Sequence, residues 1–529
     1  MSATAHQLYL FGASNGWTKE ADSGVVRIWE VMADVSVSKS ASPTKKSSFN
    51  PRVYRNLPAQ ETLAALPAPF AGDVVQTIRD RVDGDNLPVL VVLDDDPTGT
   101  QTCHDIAVLA VWDHPTLLSE LSATGKGFFI LTNSRALPPV EAKKLISEIC
   151  RNVATAAEEA GKKYDIVLRG DSTLRGHIPE EPEAVEEALG EFDGWILAPF
   201  FFQGGRYTID DVHYVREGDA LVPASNTPFA QDATFGYRSS NLRDYLIEKA
   251  GHRFSEDNVY SITINDIRVG GPDKIAERLR DIRRGSAVIV NAAAESDMFV
   301  FAAGLLAAEK AGKRFLYRTG AAFVSARLGI TGIEPLTMQN LNIKREPNSA
   351  GGLIIAGSYV PKTTAQLKTL RARRGEKMHT IELNVEEMIG SKEAADRIVQ
   401  AATHEASESI KTGKDVLVMT SRKLITGSDA LSSLNIGSTV AAALVRVVEN
   451  LKVRPRYIIA KGGITSSDAA TKGLRMKRAM VLGQAAKGVP LWRCDEPTSR
   501  HVGVPYVVFP GNVGTEDTLA EVVERWASE

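Results

Sequence analysis

Short apolar runs alternate with helically spaced apolar positions along most of the chain, and the runs end repeatedly in polar, glycine-bearing punctuation. The clearest case is Val89 to Leu93, an unbroken apolar stretch that stops at Asp94-Asp95-Asp96-Pro97-Thr98-Gly99. A continuous run fits a central parallel strand covered on both faces, and open α/β sheets bind ligands beyond the carboxyl ends of such strands. Further strands are expected at 106–112, 127–131, 166–168, 195–198, 288–290 and 314–317. Helical spacing recurs at 139–160, 180–190, 239–250, 272–284 and 296–311, which implies parallel βαβ units. Beyond residue 351 the alternation resumes, with strands starting at Gly352, Asp415 and Arg456 and an apolar helix over 440–451 capped by Gly437-Ser438-Thr439. The expected fold class is α/β: two α/β domains with largely parallel sheets and an active-site cleft between them.

The first eighty residues differ. Gly12-Ala-Ser14-Asn-Gly16 fits the G-x-S-x-G expression of hydrolases, but the polar turn after it offers no helix and no triad partner follows. Asp22-Ser23 is placed to cap a short helix from Gly24 to Met32. This segment, residues 5–32, resembles the closing helices of the 3-hydroxyacid dehydrogenase family, which would make it the remnant of a fusion. Residues 33–57 are rich in Ser, Lys and Pro with no period that buries a face, and read as a linker. Helical spacing returns over 59–82. The expected division is an extension and linker over 1–57, a first domain over 58–340, a linker over 341–351 containing Pro347 and Gly351, and a second domain over 352–529.

At 529 residues the chain is too long for a single core. Its 62 Lys+Arg against 65 Asp+Glu give a net charge of −3, so no global field favours nucleic acid. No apolar run approaches the ~18 residues of a membrane span. Three widely spaced cysteines, Cys103, Cys150 and Cys494, form neither a disulfide framework nor a zinc ribbon. A cytoplasmic protein with no nucleic-acid or membrane partner is expected, and a homo-oligomer is compatible with all of this.

The chemistry gathers at strand ends. Three adjacent carboxylates repel one another and need a cation, a metal or a donor-rich ligand to share their charge; a solvated acidic turn is the alternative. Asn133-Ser134-Arg135, Arg169-Gly-Asp171-Ser172-Thr173-Leu-Arg175 and Gly204-Gly-Arg206 follow other expected strands. Arginine meets a carboxylate or phosphate with a planar fork, and hydroxyl and amide groups match sugar hydroxyls, so the set suits a small polyhydroxylated acid. His104 and His177 have no metal-ligand spacing around them. In the second domain, Gly357-Ser358 precedes a helix opened by Pro361, a turn that is not a Walker A loop. Lys461-Gly462-Gly463-Ile464-Thr465 pairs glycines with hydroxyls, reading either as a nucleotide-binding turn or as a plain capped turn.

Asp94-Asp95-Asp96-Pro-Thr98-Gly99, Asn133-Ser134-Arg135-Ala-Leu, Asp171-Ser172-Thr173-Leu174-Arg175-Gly176 and Thr227-Pro-Phe-Ala-Gln-Asp232-Ala-Thr-Phe-Gly236-Tyr together resemble the ordered motifs of the four-carbon acid sugar kinase family, over about 440 residues from Leu87 onward. The resemblance implies an N-terminal domain for the sugar acid, a C-terminal domain for ATP, and transfer of phosphate to the terminal hydroxyl of threonate, erythronate or a 3-oxo-tetronate. On that reading Asp94 or Asp95 is the base, and the remaining acid or Asp96 helps hold substrate or Mg2+. Arg135, Arg169 and Arg175 bind the carboxylate and neutralise the phosphoryl group. Thr98, Ser134, Asp171, Ser172, Thr173 and Arg206 complete the substrate side. Gly357, Ser358, Gly462, Gly463, Ile464, Thr465 and Gly483 contact ATP. Closure about 341–351 is then expected to join the two sites. A catalytically silent sugar-acid and nucleotide binder is the rival; an oxidoreductase is disfavoured because no G-x-G-x-x-G follows any strand.

Overall fold

The computed structural model describes residues 52–85, 87–123, 125–232, 234–341, 350–357, 361–421, 430–511 and 513–527. The dehydrogenase-like stretch 5–32, most of both expected linkers and Ser358 lie outside the described residues. Val89–Asp94 is a strand buried along its whole length. Its alternate residues enter two separate cores: Leu90 and Val92 pack on one face of the sheet, and Val89, Val91 and Leu93 on the other. Two covered faces explain why the run is continuous rather than alternating. Each such aliphatic side chain contributes roughly 1.5–3 kcal/mol on burial.

Eight parallel strands form one half of the main sheet, in the order Val259–Ile262, Ser286–Val290, Gly194–Ala198, Phe315–Thr319, Tyr164–Arg169, Val89–Asp94, Gly127–Leu131 and Ile106–Leu109. The sheet does not stop there. Ile106–Leu109 pairs antiparallel with Arg478–Ala486, which continues through Val489–Cys494 and Pro505–Phe509. Four parallel neighbours then follow, Pro505–Phe509 being joined by Ile458–Lys461, Leu353–Ala356, Asp415–Thr420 and finally Met378–Leu383 at the edge. The result is a single sheet of 15 strands among the described residues.

Of the expected helices, Pro139–Ala160 has the expected bounds, and Glu180–Leu189, Leu242–Ala250, Gly271–Arg280 and Glu295–Lys310 have shifted ends. Several starts have a clear local cause. Asn241 accepts from the N–H groups of Arg243 and Asp244, and Thr263 and Asp266 form a capping box. The helix expected at 440–451 instead spans Ala430–Asn450, so Gly437, Ser438 and Thr439 lie within it and do not cap it.

Two features differ from the sequence expectation. An antiparallel sheet of Leu57–Pro58, Ala220–Pro223, Val212–Glu217 and Arg206–Ile209 stands apart from the main sheet. Its first turn is Asp210-Asp211, with φ of 50° and 64°, a two-residue hairpin loop whose twist matches the strands it joins. Residues 52–57, read above as the end of a linker, belong to this body: Leu57 pairs with Leu221, and the Tyr54 hydroxyl accepts from Asn241 Nδ2 at 3.2 Å.

Candidate active site

The carboxyl ends of adjacent parallel strands bring together residues far apart in sequence. Asp94 lies beside both Leu131 and Arg169 in the ladder, and Arg169 beside Thr319. The backbone fixes the exit of each strand: Thr132 N and Oγ1 both donate to Asp94 O at 2.9 Å, and Asp95 N donates to Arg169 O at 3.2 Å. Beyond Asp95 the chain folds into an Asx-type turn, with Thr98 N and Oγ1 donating to Asp96 Oδ1 at 2.9 and 2.5 Å. Gly99 is required there, since a Cβ would lie 2.0 Å from Asp94 Oδ2.

The three acids have three environments. Asp94 is 1 % exposed and meets Arg169 Nη1 at 3.2 Å. Burial pushes its carboxyl up to about 7; Arg169 opposes the rise, while Asp95 and Asp96 add to it. Asp95 shares Arg135 Nη2 at 3.2 Å and faces Arg318 Nη2 at 3.8 Å, and its buried Oδ2 has no hydrogen-bond partner. Asp96 opens to solvent at its rim. Burial would raise its carboxyl, but Arg135 at 2.9 Å and the two Thr98 bonds outweigh that and hold it below the usual range.

Arginines and acids alternate across the floor. Arg135, on the short turn Ser134–Ala136, reaches Asp95, Asp96 and, at 3.8 Å, Asp171. Asp171 accepts from Arg175 Nε at 2.7 Å and from Thr173 Oγ1; these partners overcome its burial and keep it ionised well below the usual carboxylate range. Behind this loop, His213 Nε2 donates to Ser172 O and its Nδ1 is bonded to Thr208 Oγ1, while the hydroxyls of Tyr237 and Tyr245 donate to Thr173 O and Leu174 O. His213 in the strand Val212–Glu217, Tyr237, and Tyr245 in the helix Leu242–Ala250 therefore hold the Asp171–Gly176 loop in place. Ser134 is buried, and its carbonyl meets His177 Nε2 at 3.1 Å.

Arg135 and Arg169, expected to bind the substrate carboxylate and the phosphoryl group, are paired here with Asp94, Asp95 and Asp96. Two residues were missed from the sequence. Arg318, near the end of Phe315–Thr319, pairs with Glu181 Oε2 at 2.9 Å and faces Asp95. Both glycines opposite it are there to admit its guanidinium: a Cβ on Gly170 or Gly176 would lie 2.4 or 2.1 Å from it. The signal for Arg318 was present as another strand ending in Arg-Thr-Gly, whereas Glu181 was hidden in the acidic start of a helix.

In the other half, Ala356 and Lys461 are neighbours in the ladder and end their strands together. Gly462, at φ 116°, donates to Phe509 O at 2.9 Å, and Gly463–Asp468 turns into a helix. Gly357 lies against this turn, its Cβ position 3.2 Å from Thr465 Oγ1. Lys461 is wholly buried, donates to Pro510 O at 2.5 Å and lies 4.1 Å from the Phe509 ring centre. Burial and the nearby Lys362 depress its ammonium to about 7, and among the described residues it has no carboxylate partner. Gly357, Gly462, Gly463 and Thr465 are thus brought together, with Ile464 in the same helix. Gly483 does not join them. It lies in the antiparallel strand Arg478–Ala486, where its φ of 143° and the Ile333 side chain, 2.8 Å from its Cβ position, account for the glycine.

The two groups adjoin across the strand seam. Asn133 Nδ2 donates to Ser467 Oγ at 2.8 Å, and the nearest atom to the Cβ position of Gly463 is Asp96 Oδ2, at 3.9 Å. Trp492 Nε1 donates to Thr100 Oγ1 at 2.9 Å, and Arg478 pairs with Glu120 at 2.7 Å. The hinge expected about 341–351 lies largely outside the described residues; the acids and the glycine turn are carried by one shared sheet.

Residues 90–327 match the model of a sugar-binding N-terminal domain and residues 353–519 that of a nucleotide-binding C-terminal domain. These are the two domains of one family, in its order. The chain belongs to the four-carbon acid sugar kinase family. Two solved structures share the fold of this family member. A Salmonella typhimurium LT2 protein, described only provisionally as a tRNA synthase, is 17% identical, with a TM-score of 0.58 over 81% of this chain and 97% of its own. A Haemophilus influenzae protein of the DUF1537 family is 19% identical, with a TM-score of 0.53 over 82% of this chain and 99% of its own. No curated protein matches the chain. Among the described residues, no helix is long and apolar enough to cross a membrane, and no group of three or more His, Cys, Asp or Glu side chains is arranged so that it could hold a metal ion.

Proposed function

We propose that the protein is an ATP-dependent kinase that phosphorylates the terminal hydroxyl of a four-carbon sugar acid of the threonate, erythronate or 3-oxo-tetronate type. The observation that carries this reading is the approach of Asp96, which shares Arg135 with Asp95, to Gly463 across the strand seam. The sugar-acid half is assigned to 58–340 and the ATP half to 352–529, with 341–351 linking them. Three buried, unpaired cysteines suit a reducing compartment, and the cytoplasm is the proposed location.

In the proposed reaction the substrate hydroxyl oxygen attacks the γ-phosphorus, the bond from that phosphorus to the β–γ bridging oxygen breaks, and the hydroxyl proton passes to a carboxylate. Asp95 is favoured over Asp94 for that proton, because Asp95 Oδ2 has a free acceptor position whereas Asp94 is packed beneath Gly99 and tied to Arg169. Arg135 offsets the charge of the transferring group, a large part of what phosphoryl transfer requires of a protein. Buried Lys461, lacking a carboxylate, is suited to the ATP phosphates. Mg2+ commonly takes one or two carboxylates together with substrate phosphates and water. Asp96, 29% exposed and turned toward Gly463, is the residue suited to hold it, and the ion would supply charge neutralisation there.

A coupled assay for ADP release across D- and L-threonate, erythronate and the 3-oxo acids tests the reading. Turnover with one of them is expected, and Asp95→Asn is expected to lower it by roughly 10²–10⁴-fold with ATP affinity nearly intact. Wild-type turnover in that variant removes Asp95 from the chemistry. ATP and acid binding with no ADP release across the whole panel favours a silent binding protein instead.

A further inference from the structure

Arg206 is set apart from the other site arginines by its partners. It opens the hairpin strand Arg206–Ile209, is largely buried, and among the described residues has no carboxylate within ion-pair distance. Its Nη1 donates to the nearby carbonyl of Gly204, and its buried Nε has no hydrogen-bond partner. The guanidinium carbons of Arg206 and Arg175 lie 5.5 and 5.2 Å from the centre of the same half-buried ring, that of Phe229. Arg175 is bonded through Nε to Asp171, and its Nη1 is only loosely matched by Asp232 at 3.9 Å.

Two guanidinium groups held against one aromatic ring repel each other, and burial sharpens the repulsion. Burial, with Asp171 opposing it and Arg175 reinforcing it, draws the Arg206 guanidinium below its ordinary range. A bound anion would relieve that strain and fill the vacant donor. The acid cluster, by contrast, already matches Arg135 and Arg169 with carboxylates. Asp171 separates the two ends, meeting Arg135 on one side and Arg175 on the other.

We propose that Arg206 and Arg175, held by Phe229, form the subsite for the substrate carboxylate, and that this subsite sets the orientation of the sugar acid with its terminal hydroxyl at Asp95. Arg206 is the residue that selects acids over neutral sugars, and Phe229 positions it. This rests on the kinase reading for the position of the hydroxyl, but the carboxylate subsite is tested by binding alone.

The experiment is calorimetric binding of a tetronate, its amide and the matching four-carbon polyol to the full-length protein, with ADP release followed in parallel. The wild-type protein is expected to bind the acid roughly 10- to 100-fold more tightly than the amide or polyol, the range for losing charge-assisted hydrogen bonds. Arg206→Gln is expected to bring acid binding down to the level of the neutral analogues. Arg206→Lys, which keeps the charge and loses the planar fork, is expected to restore part of it. Phe229→Leu is expected to raise the KM for the acid more than it lowers kcat. Equal affinity of the wild-type protein for acid and amide overturns the subsite without any mutant having to fold. Undiminished acid preference in folded Arg206→Gln overturns it as well. Selective acid binding without ADP release instead leaves the subsite standing and removes the kinase reading.

Discussion

Replacing Arg318 with Met isolates the contribution of the one arginine that the motifs did not mark. Arg318 and Glu181 meet at 2.9 Å with side chains 8% and 1% exposed, so removing the cation leaves a carboxylate buried without its partner. Breaking a buried pair from one side costs about 3–5 kcal/mol, chiefly as the penalty on the orphaned charge. Glycines at 170 and 176 bring no side chain that could fill the gap. The pH dependence has a definite sign. Burial already raises the Glu181 carboxyl, with Arg318 opposing the rise, and loss of Arg318 moves it further upward. An acid with a raised folded-state pKa binds its proton more readily when folded, so stability is retained below the unfolded value and lost as pH climbs through the folded one. Urea denaturation of Arg318→Met is therefore expected to show a larger deficit at pH 8 than at pH 5. Adding Glu181→Gln should recover part of the loss, as coupling between contacting residues requires. A deficit under about 1 kcal/mol at pH 8, or one that grows toward acid, would refute the argument.

Three further outcomes are expected. Asp94, raised to about 7 by burial, should make wild-type stability fall as pH rises from about 4 to 7, and Asp94→Asn should flatten that part of a urea-midpoint profile. ATP binding should draw a proton onto Lys461 above pH 7, seen as a heat that varies with buffer ionisation enthalpy in calorimetry; Lys461→Met should abolish the uptake and weaken ATP binding. Gly99→Ala should cost about 1–3 kcal/mol in urea denaturation, because the added methyl cannot coexist with the fixed Asp94 carboxylate.

Much of this was legible in the sequence for a physical reason. Strands covered on both faces leave continuous apolar runs, and their ends are marked by residues that cannot enter a core, which is why Asp94, Arg135, Arg169 and Asp171 were found together. The three strands of 206–223 are hard to read because they are short and their first turn uses Asp210-Asp211, where Asn-Gly is the familiar signal. Gly483 misled because a glycine that admits Ile333 looks the same in sequence as one that admits a nucleotide. Arg318 was lost to a strand boundary placed two residues early, and with it the partner that explains Glu181. The joining of both halves into one sheet had no local signal, since Ile106–Leu109 and Arg478–Ala486 are paired only by the tertiary fold.

That seam also governs how the chain can be divided. Cutting between the halves would leave the buried strand Ile106–Leu109 and the strand Arg478–Ala486 each as a naked sheet edge, with unpaired N–H and C=O groups that template association with other chains. Each half is the other's edge cap. Fragments ending near residue 341 and beginning near residue 350 should therefore aggregate when made separately and reassemble when made together, so the protein is a natural split pair whose recovered solubility reads out the pairing of two strands.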